Sequence, residues 1–124
     1  MYIDQLTIGG LLESLRRFDS EADVFFDFCR TSPTRISSYR GYYDHPALGW
    51  TDTGRAGEIT KVRELIEELE AALGKSYEGW KGGTYHYNLK SSLFIDNPGN
   101  ATDTYPVGVE SRYGDAVIVT AMGI

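Results

Sequence analysis

Residues 60–74 read TKVRELIEELEAALG and form the clearest periodic segment of this 124-residue chain. Its apolar side chains recur at the spacing of one helix face: Val62, Leu65, Ile66, Leu69, Ala72 and Leu73. Glutamates fill the other faces, and Gly74 is a common helix-ending residue. The segment therefore predicts an amphipathic helix that begins at Thr60. Its acidic side is expected to be a solvated face, and the alternative is a docking surface for a basic partner.

A second helix is predicted near the N-terminus. Thr7 can cap it, and the apolar residues that follow recur at helical spacing: Ile8, Leu11, Leu12 and Leu15. The segment from Ala22 to Phe28 is rich in aromatic and β-branched residues and predicts a buried strand. Ser91 to Ile95 predicts a further strand.

The C-terminal segment has the pattern of a β-hairpin. Residues 107–111 and 115–121 are mostly apolar and flank Arg112-Tyr113-Gly114, which is suited to a tight turn. Together with the two helices, this predicts an α+β fold in which two helices pack on a mostly antiparallel sheet with a C-terminal β-hairpin. The length fits one globular domain, residues 1–124.

The composition limits the classes of partner. A formal net charge of −6 argues against binding of duplex nucleic acid, because that binding needs a basic face. No stretch approaches the about 18 apolar residues of a membrane span, so we expect a cytoplasmic protein that does not contact membranes. Because Cys29 is the only cysteine, the chain cannot form an internal disulfide. Cys29 is expected to be a buried thiol, and Trp50 is expected in the core.

Two short stretches concentrate aromatic and cationic residues. Residues 37–50 and 76–88 contain six of the nine tyrosines, both tryptophans and both histidines. Rings that can stack alternate there with donors that can hold an anion, which predicts an aromatic-walled ligand pocket completed by a residue of the hairpin. The alternative is a structural role, since tyrosine and tryptophan are common in strands and Arg40 or Arg112 can form salt bridges. The predicted ligand-binding residues are Tyr39, Arg40, Tyr42, Tyr43, Trp80, Lys81, Tyr85, Asn88 and Arg112.

Catalytic and metal-binding patterns are weak by comparison. His45 and His86 are the only imidazoles, and neither has the spacing of a metal site. No nucleophile lies in a turn motif that would expose and activate it. We therefore expect no metal, no cofactor and no catalysis.

The order of several segments resembles small uncharacterised accessory proteins of tailed phages. The segments are Val24-Phe25-Phe26-Asp27-Phe28, Ser38-Tyr39-Arg40-Gly41-Tyr42-Tyr43-Asp44 and Gly79-Trp80-Lys81-Gly82-Gly83. The resemblance implies a phage accessory protein that acts in the host cell cytoplasm. Proteins of that setting are often counter-defence factors, and the resemblance transfers no catalytic or binding residue.

Three functional hypotheses follow. The first is a homo-oligomeric protein that binds and sequesters a nucleotide-derived immune signal without catalysis. The second is an acidic protein-interaction module that inhibits a host defence protein through the face from Glu64 to Glu70. The third is a small hydrolase that uses His45 or His86 as general base.

Overall fold

The computed structural model describes residues 5–28, 31–39, 42–49, 59–74, 76–78, 84–95 and 104–122. Cys29 and Trp50, both predicted to be buried, lie outside these residues. The elements follow one another as α1 (Ile8–Leu15), β1 (Asp23–Phe26), β2 (Arg35–Tyr39), β3 (Tyr42–Gly49), β4 (Thr60–Lys61), α2 (Val62–Leu73), β5 (Ser76–Glu78), β6 (Thr84–His86), β7 (Phe94–Ile95), β8 (Thr104–Arg112) and β9 (Asp115–Met122).

Seven of the described strands form one sheet in the order β2-β3-β7-β8-β9-β1-β4, and β5 pairs separately with β6. Within the large sheet four neighbouring pairs are antiparallel, and two, β1–β9 and β3–β7, are parallel. The predicted α+β fold with a mostly antiparallel sheet is therefore confirmed. The β1–β9 pair sets Phe25 opposite Val117 and Phe26 opposite Ile118, joining chain segments about 90 residues apart.

Both helices pack on one face of this sheet. The buried core joins Leu11 and Leu15 of α1 to Leu65 and Leu69 of α2, and also includes Val24, Phe26, Ala116 and Ile118 from the central strands. Because side chains alternate across a strand, Phe25 and Val117 lie on the opposite face of the sheet. Within the described residues, neither helix has the length and apolar character that a bilayer span requires.

The starts of the two helices differ in how well the sequence predicted them. Thr7 caps α1 as predicted, and its hydroxyl accepts a 3.0 Å hydrogen bond from the Gly10 N–H. The predicted start of the second helix at Thr60 is wrong, because Thr60 and Lys61 form β4 and pair with β1. This pairing holds them in extended conformation, and the Lys61 N–H donates to the Glu64 carboxylate across the first turn at 3.0 Å.

Two strand predictions need correction. The strand expected from Ala22 to Phe28 covers only Asp23–Phe26, and its burial alternates instead of being continuous. Helices cover one face of β1, so only Val24 and Phe26 are enclosed by them. The strand expected from Ser91 to Ile95 is regular only at Phe94–Ile95.

The C-terminal hairpin is confirmed and is longer than predicted. Thr104–Arg112 pairs with Asp115–Met122, with an irregularity between Pro106 and Gly108. The two loop residues, Tyr113 and Gly114, have φ values of 52° and 84°. Positive φ at both central residues is the geometry of a type I′ turn, whose twist matches that of the flanking strands.

Candidate ligand-binding site

The predicted ligand-binding residues are only partly placed by the structure. Arg40, Trp80 and Lys81 lie outside the described residues. Backbone positions place Tyr39, Tyr42 and Tyr43 in the β2–β3 hairpin and Tyr85 in β6. Strand β6 contacts β3, so the strands of the two aromatic stretches do come together. That these stretches form a ligand pocket stays a prediction.

Asn88 and Arg112, whose side chains are described, lie in different places. The Asn88 amide oxygen accepts a 2.8 Å hydrogen bond from the Lys90 N–H in a loop that is bound to the start of α1. Two residues before α1, the Leu6 N–H donates to the Pro106 carbonyl near the beginning of β8. Arg112 ends β8, six residues and about 20 Å of extended strand away from Pro106. The structure therefore does not bring Asn88 and Arg112 into one site.

A pocket of about 320 Å³ lies beside Arg112, where the hairpin ends. That volume is within the range of small-molecule sites. The pocket lies where the parallel β1–β9 pairing sets Phe25 opposite Val117, two residues along β9 from Asp115. Its lining includes Phe25, Asp27, Phe28, Arg112, Tyr113 and Asp115. We refer to it as the hairpin pocket.

Aromatic rings form much of its wall. The rings of Phe26 and Phe28 are stacked, with centroids 5.1 Å apart and an interplanar angle of 19°. Phe28 nevertheless remains 46% exposed, and Tyr113 is fully exposed at the turn. Tyr113 also has a φ of 52°, in the left-handed region that is usually occupied by Gly, Asn or Asp. Sparsely populated backbone conformations cluster at functional sites, which makes this exposed ring a candidate for binding.

The charged groups of the hairpin pocket have different hydrogen-bonding states. The Arg112 guanidinium pairs with Glu110, with Nη2 and Nε at 2.8 and 3.2 Å from the same carboxylate oxygen. This is the salt bridge that the structural alternative for Arg112 predicted. The Asp27 carboxylate accepts the Thr120 N–H at 3.0 Å and its hydroxyl at 2.7 Å. Asp27 is therefore committed to holding the end of β1 against β9.

Sequence reasoning missed Phe25, Phe28 and Asp115 as site residues. The first two were interpreted as part of a fully buried strand, and the last as an ordinary hairpin residue. The available signal was the strand alternation of Val24-Phe25-Phe26, which leaves Phe25 on the face opposite the core. Its closeness to residues 112–117 depends on strand pairing and is not visible in the sequence.

A second, acidic pocket of about 240 Å³ lies along α2. Thr34, Ile59 and Thr60 line one side, and Glu64, Glu67 and Glu68 line the other. Ile59 is 55% exposed. Arg63, the single cation of this helix, donates to Glu21 at 2.9 Å, so it does not neutralise the glutamates beyond it.

The described residues offer little for the hydrolase hypothesis. The His86 side chain is exposed, and the His45 side chain lies outside the described set. Among the side chains that the structure places, no group of three or more His, Cys, Asp or Glu residues could hold a metal ion.

Comparison of the chain with protein-family models, curated proteins and solved structures finds no match. The resemblance to phage accessory proteins therefore stays a prediction. Function is inferred from the pockets and their chemistry.

Proposed function

We propose that the protein is a non-catalytic binding protein that sequesters a nucleotide-derived small molecule in the hairpin pocket. The observation that supports this most directly is a ligand-sized pocket whose aromatic wall stands beside a half-exposed guanidinium. Aromatic rings and a few placed polar groups are the usual composition of a small-molecule site.

The base and the phosphate of a nucleotide each have a complementary group in this pocket. A base can stack on the exposed ring of Phe28 or Tyr113, an interaction that contributes about 1–3 kcal/mol per base in single-strand binding proteins. A phosphate can accept two hydrogen bonds from the planar Arg112 guanidinium. The present partner of Arg112 is Glu110, and both side chains are about half exposed. An exposed ion pair of this kind contributes at most about 1 kcal/mol, so a phosphate can replace it.

The biological role that we propose is counter-defence. A phage protein that binds a nucleotide immune signal at high affinity would lower its free concentration in the host cytoplasm without any chemical step. The contact between β6 and β3 brings the strands of the two aromatic stretches together. A homo-oligomer would multiply the binding sites.

Calorimetric titration tests this function. The purified protein is titrated with cyclic dinucleotides, cyclic trinucleotides, cyclic ADP-ribose isomers and nucleoside monophosphates. We expect binding by the wild type, and binding that is weaker by about 1.5–3 kcal/mol for Arg112→Ala, the size of a lost charge-assisted hydrogen bond. Thermal melts of both proteins check that the variant is folded. No binding of any nucleotide at high micromolar concentration would refute the proposal.

A second function is favoured by the acidic pocket of α2. Glu67, Glu68 and Glu70 are exposed without a cationic partner among the described residues, and the exposed Ile59 lines the same pocket as Glu67 and Glu68. Such a surface suits an inhibitor of a basic host protein, because complementary charge speeds association and gives specificity. A host protein that copurifies stoichiometrically would support this function.

Charge reversal separates a specific surface from net charge. Glu67→Lys combined with Glu68→Lys should abolish copurification. Reversal of Glu13 on α1, where the native carboxylate already pairs with Arg17 at 3.2 Å, should change it little. Loss of the partner with either change would indicate a general charge effect.

A further inference from the structure

Asp115 is the carboxylate of the hairpin-pocket lining that has no hydrogen-bond donor among the described residues. It lies directly opposite Arg112 in the β8–β9 register, where side chains on the same face have Cβ atoms about 4.5–5.5 Å apart. Arg112 nevertheless turns back along β8 to Glu110. Within the part of the chain that the structure describes, the Asp115 carboxylate accepts no hydrogen bond and forms no ion pair, although it is only partly exposed.

An ionised carboxylate accepts hydrogen bonds and donates none. A ligand that fills this pocket must therefore present donors to Asp115, or the carboxylate loses hydration without compensation. Two adjacent donors in one plane fit best, because the two carboxylate oxygens can each accept one.

Among the common bases, guanine has this arrangement. Its N1–H and its 2-amino group lie side by side on one edge. The corresponding edge of adenine has one amino group next to an acceptor nitrogen, which would face a carboxylate oxygen. Uracil has one N–H between two carbonyl oxygens, which a carboxylate repels.

We propose that Asp115 makes the hairpin pocket selective for guanine-containing nucleotides. In this arrangement Asp115 accepts from the guanine edge and an exposed ring of the pocket, Phe28 or Tyr113, stacks on the base. Arg112, whose guanidinium is bonded to Glu110, receives the phosphate. This inference rests on the proposed function and adds the identity of the base.

The test is a calorimetric comparison of three monophosphates: GMP, IMP, which lacks the 2-amino group, and AMP. We expect the wild type to bind GMP at least about tenfold more tightly than AMP, with IMP between them. Asp115→Asn should weaken GMP binding by roughly 10- to 100-fold and leave AMP binding almost unchanged. Asp115→Glu keeps the charge but moves the carboxylate, so partial loss of the preference for GMP is expected.

The control is Glu13→Gln, which removes one negative charge at an exposed position of α1 outside the hairpin pocket. It should bind GMP and AMP as the wild type does. Thermal melts of each variant check folding.

Three results would overturn the inference. Equal affinity of the wild type for GMP and AMP would remove base selectivity while leaving nucleotide binding intact. An equal effect of Asp115→Asn on GMP and AMP would mean that Asp115 acts through its charge alone. The wild type could also bind N-acetyl-arginine amide more tightly than GMP and lose that binding in Asp115→Asn. This result would assign the pocket to an arginine side chain of a protein partner. If none of the nucleotides binds at all, the proposed function itself fails.

Discussion

The Gly9 N–H donates a 2.9 Å hydrogen bond to the Leu89 carbonyl, so α1 and the loop before β7 meet backbone to backbone. A Cβ atom built on Gly9 would lie 2.9 Å from that carbonyl oxygen and 3.2 Å from the Leu89 Cβ. Real side chains do not approach backbone so closely, and glycine is therefore required here. The contact fixes the loop that carries the buried side chains of Tyr87 and Leu93.

Gly9→Ala should destabilise the protein by about 1–3 kcal/mol, because the added methyl group forces α1 away from residue 89. Gly74→Ala is the matched control at the end of α2. Its added Cβ would meet the nearest atom, the Ala71 carbonyl oxygen, at an ordinary 3.7 Å, and Gly74 has a right-handed helical conformation. We expect this change to be neutral or stabilising by up to about 1 kcal/mol. Chemical denaturation measures both, and equal losses would contradict the close-approach argument.

Leu69→Ala should cost about 2–5 kcal/mol, because Leu69 is fully buried under the sheet and its truncation leaves a cavity. Glu67→Ala, two residues earlier on the exposed side of α2, should change the free energy of unfolding by less than about 0.5 kcal/mol. Urea denaturation of the two variants tests the orientation of the helix. Similar losses at both positions would mean that the helix face is assigned wrongly.

Tyr113→Asn should stabilise the protein by about 0.5–1 kcal/mol, because asparagine tolerates the left-handed conformation that Tyr113 adopts at φ of 52°. The same change should weaken nucleotide binding by about 1–3 kcal/mol through loss of stacking. Tyr113→Phe keeps the ring and should bind as the wild type does. Thermal melts measure the stability of each variant, and calorimetric titrations measure its nucleotide binding. Unchanged nucleotide binding by Tyr113→Asn would show that Tyr113 is not part of the site.

Glu110→Gln should strengthen the binding of phosphate-bearing ligands by up to about fivefold, because it releases Arg112 from an exposed ion pair. Binding of the corresponding nucleosides, which lack phosphate, should not change. The free energy of unfolding should fall by no more than about 1 kcal/mol. Titration of GMP and guanosine against the variant provides the measurement, and weaker GMP binding would show that Glu110 itself contacts the ligand.

The sequence determined the elements whose signals are local. In α1, apolar residues repeat at helical spacing after the capping residue Thr7, and in α2 they repeat before Gly74, which ends the helix. In the C-terminal segment, two strands flank a two-residue turn. These features depend on residues within a few positions of each other, so a single sequence contains them. Even there, the start of α2 was misplaced by two residues, because a distant strand pairs with Thr60 and Lys61.

The tertiary structure alone decided the candidate site. Phe25 and Phe28 meet residues 112–117 only because β1 inserts parallel to β9, a pairing of segments far apart in the chain. Likewise, several carboxylates were available to pair with Arg112, and packing selected Glu110 and left Asp115 facing the pocket. Which strands become neighbours depends on the burial of the whole core. For that reason local periodicity located the helices and the hairpin but did not locate the hairpin pocket.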